Sequence, residues 1–256
     1  MHARLGRPLW FELATTDVAA ARNFYTHVVG WSVKDSEGLG MPYSEWLRAD
    51  GTPVGGLMAL PDELKAEGVP PHWMVYVGVD DLDARAATVE RLGGGALTPV
   101  IEVPTVGRLQ TMRDPDGAAF SLYAPESEPG PETAPAPGDL AWLELHTSDP
   151  AAGLAFYTTL FGWQPTEAMD MGPMGTYQMF GRGAAHSIGG VMRKPAGITM
   201  PSAWLLYVKV PDVVQAADRV RASGGTIVNG PADVPGGQVV MGVDPQGAAF
   251  ALYSGR

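Results

Sequence analysis

The chain contains one segment twice: Leu9-Trp10-Phe11-Glu12-Leu13 through Gly30-Trp31 returns without a gap as Ala141-Trp142-Leu143-Glu144-Leu145 through Gly162-Trp163. Both copies carry Trp-x-Glu-Leu, an Asp seven residues after the Trp (Asp17, Asp149), a Phe-Tyr pair (Phe24-Tyr25, Phe156-Tyr157) and a closing Gly-Trp. Later landmarks recur in the same order. Val54-Gly55-Gly56-Leu57-Met58 matches Ile188-Gly189-Gly190-Val191-Met192, and Trp73 with Tyr76 matches Trp204 with Tyr207. Near the ends, Asp114-Pro115-Asp116-Gly117-Ala118-Ala119-Phe120 matches Asp244-Pro245-Gln246-Gly247-Ala248-Ala249-Phe250. A repeat of about 130 residues is far longer than a solenoid unit, so it marks the duplication of a whole domain.

The stretch between the copies, 124–139, is acidic and rich in Pro and reads as a semi-extended linker. The expected division is therefore a first domain over 1–123, the linker 124–139, and a second domain over 140–256. Within each copy the hydrophobic period changes in order. Trp10 to Thr15 alternates like a strand, after which Val18, Ala21, Phe24, Tyr25 and Val28 fall on one helical stripe, with Thr16 or Asp17 as cap and Gly30 as stop. The same switch recurs at Trp73 to Val79 followed by Leu82, Ala86, Val89 and Leu92, and at Trp204 to Val210 followed by Val213, Ala217 and Val220. Short strands are expected at 43–49, 54–60, 97–103 and 108–112, with counterparts at 176–180, 188–193, 226–228 and 238–243. The unit is a strand, a helix and three strands, and it occurs four times.

A net charge of -11 argues against a polyanionic partner such as nucleic acid or an anionic membrane. Cys is absent, which excludes disulfides, thiol nucleophiles and Cys-ligated metals. The N-terminus has no apolar core of a signal peptide, and no apolar run reaches membrane-spanning length, so a cytoplasmic protein is expected.

The Trp-x-x-Leu strand, the Asp-capped helix with Phe-Tyr and Gly-Trp, the Val79-Asp80-Asp81-Leu82-Asp83 helix start and the Asp-Pro-Asp-Gly before a terminal strand together resemble the vicinal oxygen chelate superfamily. That group includes glyoxalases, bleomycin-resistance proteins and extradiol dioxygenases, and the two-domain layout is similar to its actinobacterial glyoxalase-like members. The resemblance implies an α+β fold in which four βαβββ modules pair into two half-barrel cups with helices packed outside. It does not decide whether modules one and two pair, or one and four.

In metal-dependent members the resemblance places ligands on the first strand of each half and on the last strand. The matching positions here are Trp10, Met74 and Ser121 in the first copy, and Trp142, Leu205 and Ala251 in the second. These residues offer no set of about three converging N or O donors, so no cofactor is expected, with a divalent metal as the alternative. Strand alternation turns Trp10, Glu12 and Ala14 away from the helix-covering Phe11, Leu13 and Thr15, and does the same for Trp142, Glu144 and His146. Glu12, Glu144 and His146 are therefore the candidate acid and base groups, weighed against a purely structural reading in which each Glu bonds a Tyr, a Trp N–H or an Arg such as Arg108. Candidate ligand-binding residues are Trp10, Trp46, Met74, Tyr76, Trp142, Phe180, Tyr207 and Lys209, weighed against core packing. Gly55-Gly56 and Gly189-Gly190 read as places of close strand approach.

The leading expectation is metal-independent binding, or sequestration, of a small planar organic molecule, by a chain that is monomeric with an internal pseudo-two-fold or a homodimer. Two alternatives remain: a lyase or isomerase of glyoxalase type using Glu12 or the Glu144/His146 pair, and an interaction protein with vestigial cups.

Overall fold

Four aspartates start the four long helices. Asp17, Asp81, Asp149 and Asp212 each sit in extended backbone and accept N–H groups of the first turn: Ala20 for Asp17, Ala84 for Asp81, Ala151 and Ala152 for Asp149, and Val214 and Gln215 for Asp212. In the computed structural model, which describes residues 4–37, 40–183, 186–194 and 201–255, these caps mark four modules. Module one comprises β1 (Pro8–Thr15), α1 (Val18–Val29), β2 (Ser32–Ser36), β3 (Tyr43–Leu47) and β4 (Pro53–Ala59), and a short helix α2 (Asp62–Ala66) leads out of it. Module two has β5 (His72–Gly78), α3 (Leu82–Arg91), β6 (Gly95–Ala96), β7 (Ile101–Val103), β8 (Gly107–Arg113) and β9 (Ala119–Pro125). Module three has β10 (Leu140–Thr147), α4 (Pro150–Phe161), β11 (Gln164–Asp170), β12 (Thr176–Gly181) and β13 (Gly189–Arg193). Module four has β14 (Ala203–Lys209), α5 (Val213–Ala222), β15 (Thr226–Val234), β16 (Gly237–Val243) and β17 (Ala249–Gly255).

Among the described residues the strands form two curled sheets, nine strands from the first repeat and eight from the second. Within modules one and three the order is β2-β3-β4-β1 and β11-β12-β13-β10, with the first strand parallel to the last. Modules two and four repeat the scheme as β5-β9-β8-β6 and β14-β17-β16-β15.

Of the strand expected over 97–103 only Ile101–Val103 forms, as β7; β6 ends before it at Ala96, and Leu97 and Ile101 are exposed. Two strands lie outside those expected. β2 and β11 are edge strands with mostly exposed side chains, so they lack the apolar alternation that reveals a strand.

By packing density the chain divides into two compact units, each taking one module from each repeat. One contains 75–132 with 142–204, and the other contains 10–74 with 133–141 and 205–256. Each unit is held by the helix-side faces of its modules. In the second unit the buried Tyr25 of α1 donates its hydroxyl to Asp244 at 3.0 Å and accepts the Trp73 indole N–H at 3.0 Å. In the first unit, Tyr157 of α4 likewise donates to Asp114 at 3.1 Å and accepts from Trp204 at 3.0 Å. Each Asp also receives the N–H groups of its own Asp-Pro-x-Gly turn, from Asp116 and Ala118 or from Gln246 and Ala248. Burial raises both carboxyl pKa values, against the lowering effect of these donors.

Arginines repeat the pattern at the helix ends. Arg219 of α5 reaches the carbonyl of Val28 in α1 at 3.0 Å, and Arg85 of α3 reaches that of Leu160 in α4 at 2.9 Å, so cations meet the carbonyl ends of their partner helices. A further tie lies in the first unit: Asp116 accepts Thr147 Oγ1 at 2.7 Å, Ser148 N at 2.7 Å and Ser148 Oγ at 2.6 Å, as well as the Ser202 hydroxyl. At the corresponding place the other unit has Gln246.

The Pro-rich stretch after β9 is pinned on both sides of its division at 132/133. In the first unit Arg182 holds Glu132 at 2.6 Å, and Arg4 pairs with Glu128. In the second, Arg48 chelates both oxygens of Asp139 at 3.0 and 2.8 Å, and the Trp31 indole donates to the Gly138 carbonyl at 3.0 Å.

Candidate functional site

Leu143 and Leu145 are fully buried beneath α4, so the alternate residues Trp142, Glu144 and His146 emerge on the other face of β10. Opposite Glu144 in the parallel register stands Gly190 of β13. A Cβ at Gly190 would overlap the ring of Tyr177, which crosses this strand from β12. Gly189 clears the other face, where a Cβ would overlap Phe180 and the Leu143 carbonyl. The glycine pair thus lets one aromatic ring close the core and another reach the acid.

Tyr177, itself held by Trp142, and His146 converge on Glu144, which is only 4% exposed. The Trp142 indole N–H donates to Tyr177 Oη at 2.7 Å, Tyr177 Oη donates to Glu144 Oε2 at 2.9 Å, and His146 Nε2 meets Glu144 Oε1 at 2.7 Å. Burial, then the Glu144 charge, push the Tyr177 phenol far above its ordinary pKa, so it stays a donor.

Module one builds the same relay with one member changed. The Trp10 indole donates to Tyr43 Oη at 3.0 Å, Tyr43 is hydrogen-bonded to Glu12, and the Tyr43 ring passes over Gly56, which is opposite Glu12. Burial followed by the Glu12 charge likewise raises the Tyr43 pKa. Where module three has His146 beside Met192, module one has Ala14 beside Met58. Across its glycine, module one has Glu45 where module three has Met179. The two faces therefore differ in charge: two carboxylates in the first, a carboxylate and an imidazole in the second.

The remaining candidates are placed variously. Trp46 and Phe180 do not line a cup; both are fully buried on the helix side, Trp46 with its ring centre 5.2 Å from Trp31 and Phe180 stacked at 4.6 Å on Trp163. Strand parity explains this, because Tyr43 and Glu45 face one way and Ser44 and Trp46 the other. Met74 is half-buried on β5. Tyr76, also on β5, is buried opposite Ser121, whose hydroxyl bonds that of Thr111 at 3.0 Å. Tyr207 is buried opposite Ala251, and the Lys209 ammonium is tied to the Pro135 carbonyl at 2.9 Å. Arg108 pairs with Asp83 and Glu102 rather than with a cup carboxylate. Tyr43 and Tyr177 were not among the sequence candidates, although each precedes the second glycine of its pair by the same interval.

These residues do not fit the metal that the resemblance implies. Trp10 and Trp142 stand where the resemblance would place ligands, but an indole Nε1 is a donor only, and here each is engaged with a tyrosine. Among the described residues no three of His, Asp and Glu converge on one point.

Two tandem domains of this architecture, each with its Trp–Tyr–Glu relay on a curled sheet, place the chain in the glyoxalase/bleomycin resistance protein/dioxygenase superfamily. The model of that superfamily matches residues 139–252, and the model of the glyoxalase-like domain matches 10–123. Among individual proteins, the provisionally named glyoxylase CFP32 of Mycobacterium tuberculosis is 34% identical over 97% of this chain and 95% of its own. The anthracycline biosynthesis protein DnrV of Streptomyces peucetius is 29% identical over 98% of this chain and 94% of its own. In fold the chain is similar to the Mn(II)-bound glyoxalase of Novosphingobium aromaticivorans, with a TM-score of 0.66 and 17% identity over 98% of this chain and 82% of that one. It is also similar to the 2,3-dioxygenase LapB of Pseudomonas sp. KL28, with a TM-score of 0.67 and 16% identity over 98% and 92%. No helix among the described residues is long and apolar enough to cross a membrane.

Proposed function

We propose that the chain binds a small planar organic molecule on its cup faces without a catalytic metal. The observation that carries this reading is the pair of Trp–Tyr–Glu relays: indole N–H groups satisfy tyrosines, and the tyrosines hold the carboxylates. Each relay puts a half-buried indole beside a fixed polar group, the combination that orients a flat ligand with a few polar substituents. A relative named for anthracycline biosynthesis supports a planar ligand class.

The full-length protein should bind an anthracycline saturably, seen as quenching of tryptophan fluorescence, and Trp142→Ala should weaken that binding about tenfold or more. After incubation with Mn, Fe, Ni or Zn salts and dialysis, elemental analysis should find well under one metal per chain. Stoichiometric metal retained by the wild type would overturn the reading. The second reading, a lyase or isomerase, is favoured by one specific observation, the 2.7 Å contact between His146 and Glu144.

A further inference from the structure

We propose that His146 is a general base, confined to the second repeat, whose free Nδ1 removes a proton from an enolisable planar ketone, and that Glu144 is its positioning residue. The inference rests on the metal-free binding reading and adds to it an activity and a substrate class.

Proton accounting assigns the roles. The Trp142 indole can only donate, so the oxygen of Tyr177 accepts from it, and the single phenolic proton goes to Glu144 Oε2. The dyad is assigned with Glu144 accepting and the hydrogen of His146 on Nε2, facing Oε1 across 2.7 Å. Nδ1 then carries the lone pair. It makes no hydrogen bond among the described residues, and the side chain keeps 16% of its surface exposed. A buried carboxylate that fixes the tautomer of an imidazole and stabilises the imidazolium leaves the opposite nitrogen to take the proton.

In the step itself, the C–H bond next to the ketone breaks, its electron pair passes into the enolate, and the proton adds to Nδ1. The resulting imidazolium keeps its 2.7 Å contact with Glu144. Return of a proton to the same or a neighbouring carbon restores the base, so no oxidant or co-reactant is needed. Module one cannot follow this route, because Ala14 stands where His146 does.

The test uses 2-tetralone, a flat bicyclic ketone, with the full-length protein in buffered D2O. Nuclear magnetic resonance follows exchange of its benzylic protons, while tryptophan fluorescence measures binding in the same samples. The wild type should accelerate exchange, and His146→Gln should lower the saturated rate by about 100-fold or more, the range of a lost general base. Glu144→Gln should lower the saturated rate with little change in probe affinity. His146→Ala, if folded by circular dichroism, should regain exchange when free imidazole is added, a rescue that a merely structural histidine would not show. Should His146→Gln fail to fold, the imidazole response of His146→Ala decides. Binding without accelerated exchange, or undiminished exchange in folded His146→Gln, overturns the base and leaves the binding reading standing. Failure of the probe to bind at millimolar concentration counts against both.

Discussion

Replacing Tyr157 by Phe removes one oxygen from the centre of the first unit and should cost far more than one hydrogen bond. The ring packing is retained, since Tyr157 meets Phe120 edge-on at 5.4 Å and Trp163 in a stack at 5.7 Å, and Phe keeps both contacts. What disappears is a 3.1 Å bond to a buried carboxylate, worth about 1.5–3 kcal/mol. The Trp204 indole N–H, buried and previously 3.0 Å from the hydroxyl, also loses its acceptor, at about 1–3 kcal/mol. Because one atom serves both bonds, the two losses overlap, and a total of about 2–5 kcal/mol is expected. That is a large share of the stability of an ordinary domain, about 5–15 kcal/mol.

Urea unfolding followed by tryptophan fluorescence measures it, with Tyr25→Phe as the duplicate perturbation in the other unit. The pH dependence has a definite sign. Burial raises the folded pKa of Asp114, so its protonated form is favoured in the native state, and its contribution to stability falls as pH rises from the unfolded carboxylate value, about 4, through the raised one. Protonated Asp114 needs fewer donors, and the deficit of Tyr157→Phe should therefore shrink toward pH 4. A loss below about 1 kcal/mol at pH 7, or a deficit that grows on acidification, would refute the reasoning.

Asp116→Asn should flatten the acid end of the stability curve. Burial pushes this carboxyl up, but the donors from Ser148, Ser202 and Thr147 outweigh it and hold its pKa well below the usual range, so its stabilisation is present above about pH 4 and lost as pH falls further. Since Asp116 is exposed, the expected loss at neutral pH is only on the order of 1 kcal/mol, and a urea titration repeated from pH 3 to pH 7 checks it. Gly190→Ala should displace the Tyr177 ring and abolish saturable ligand binding to the second repeat, seen in a fluorescence titration, while Gly183→Ala, with nothing near its Cβ, should leave binding unchanged. Glu144→Gln should change stability by less than about 1 kcal/mol, because an amide can still accept from Tyr177; easy unfolding on chemical denaturation would instead make Glu144 a structural partner.

Much of the fold was readable because duplication printed each signal twice: the capping aspartates, the Gly-Trp stops and the glycine pairs sit at matching places. What could not be read was which modules share a core. The answer lies in Tyr25 with Asp244 and Tyr157 with Asp114, partners more than forty residues apart whose motifs, Phe-Tyr and Asp-Pro-x-Gly, had been seen separately. The edge strands β2 and β11 escaped notice because polar residues face water on both sides. For the site, alternation along β1 and β10 was the signal that separated Glu12, Glu144 and His146 from the helix-side residues Leu13, Leu143 and Leu145. Trp46 and Phe180 were assigned to a cup by residue type alone, where the polar neighbours Tyr43 and Glu45 point to the opposite parity.

Because Tyr25 answers to Asp244 and Tyr157 to Asp114, the two halves of this polypeptide are not self-sufficient copies. A chain severed in the Pro-rich stretch would yield two fragments, each owning one half of two different interiors and neither owning a finished one. Complementation is the consequence: the two fragments mixed should complete both interiors, and either one alone should complete neither.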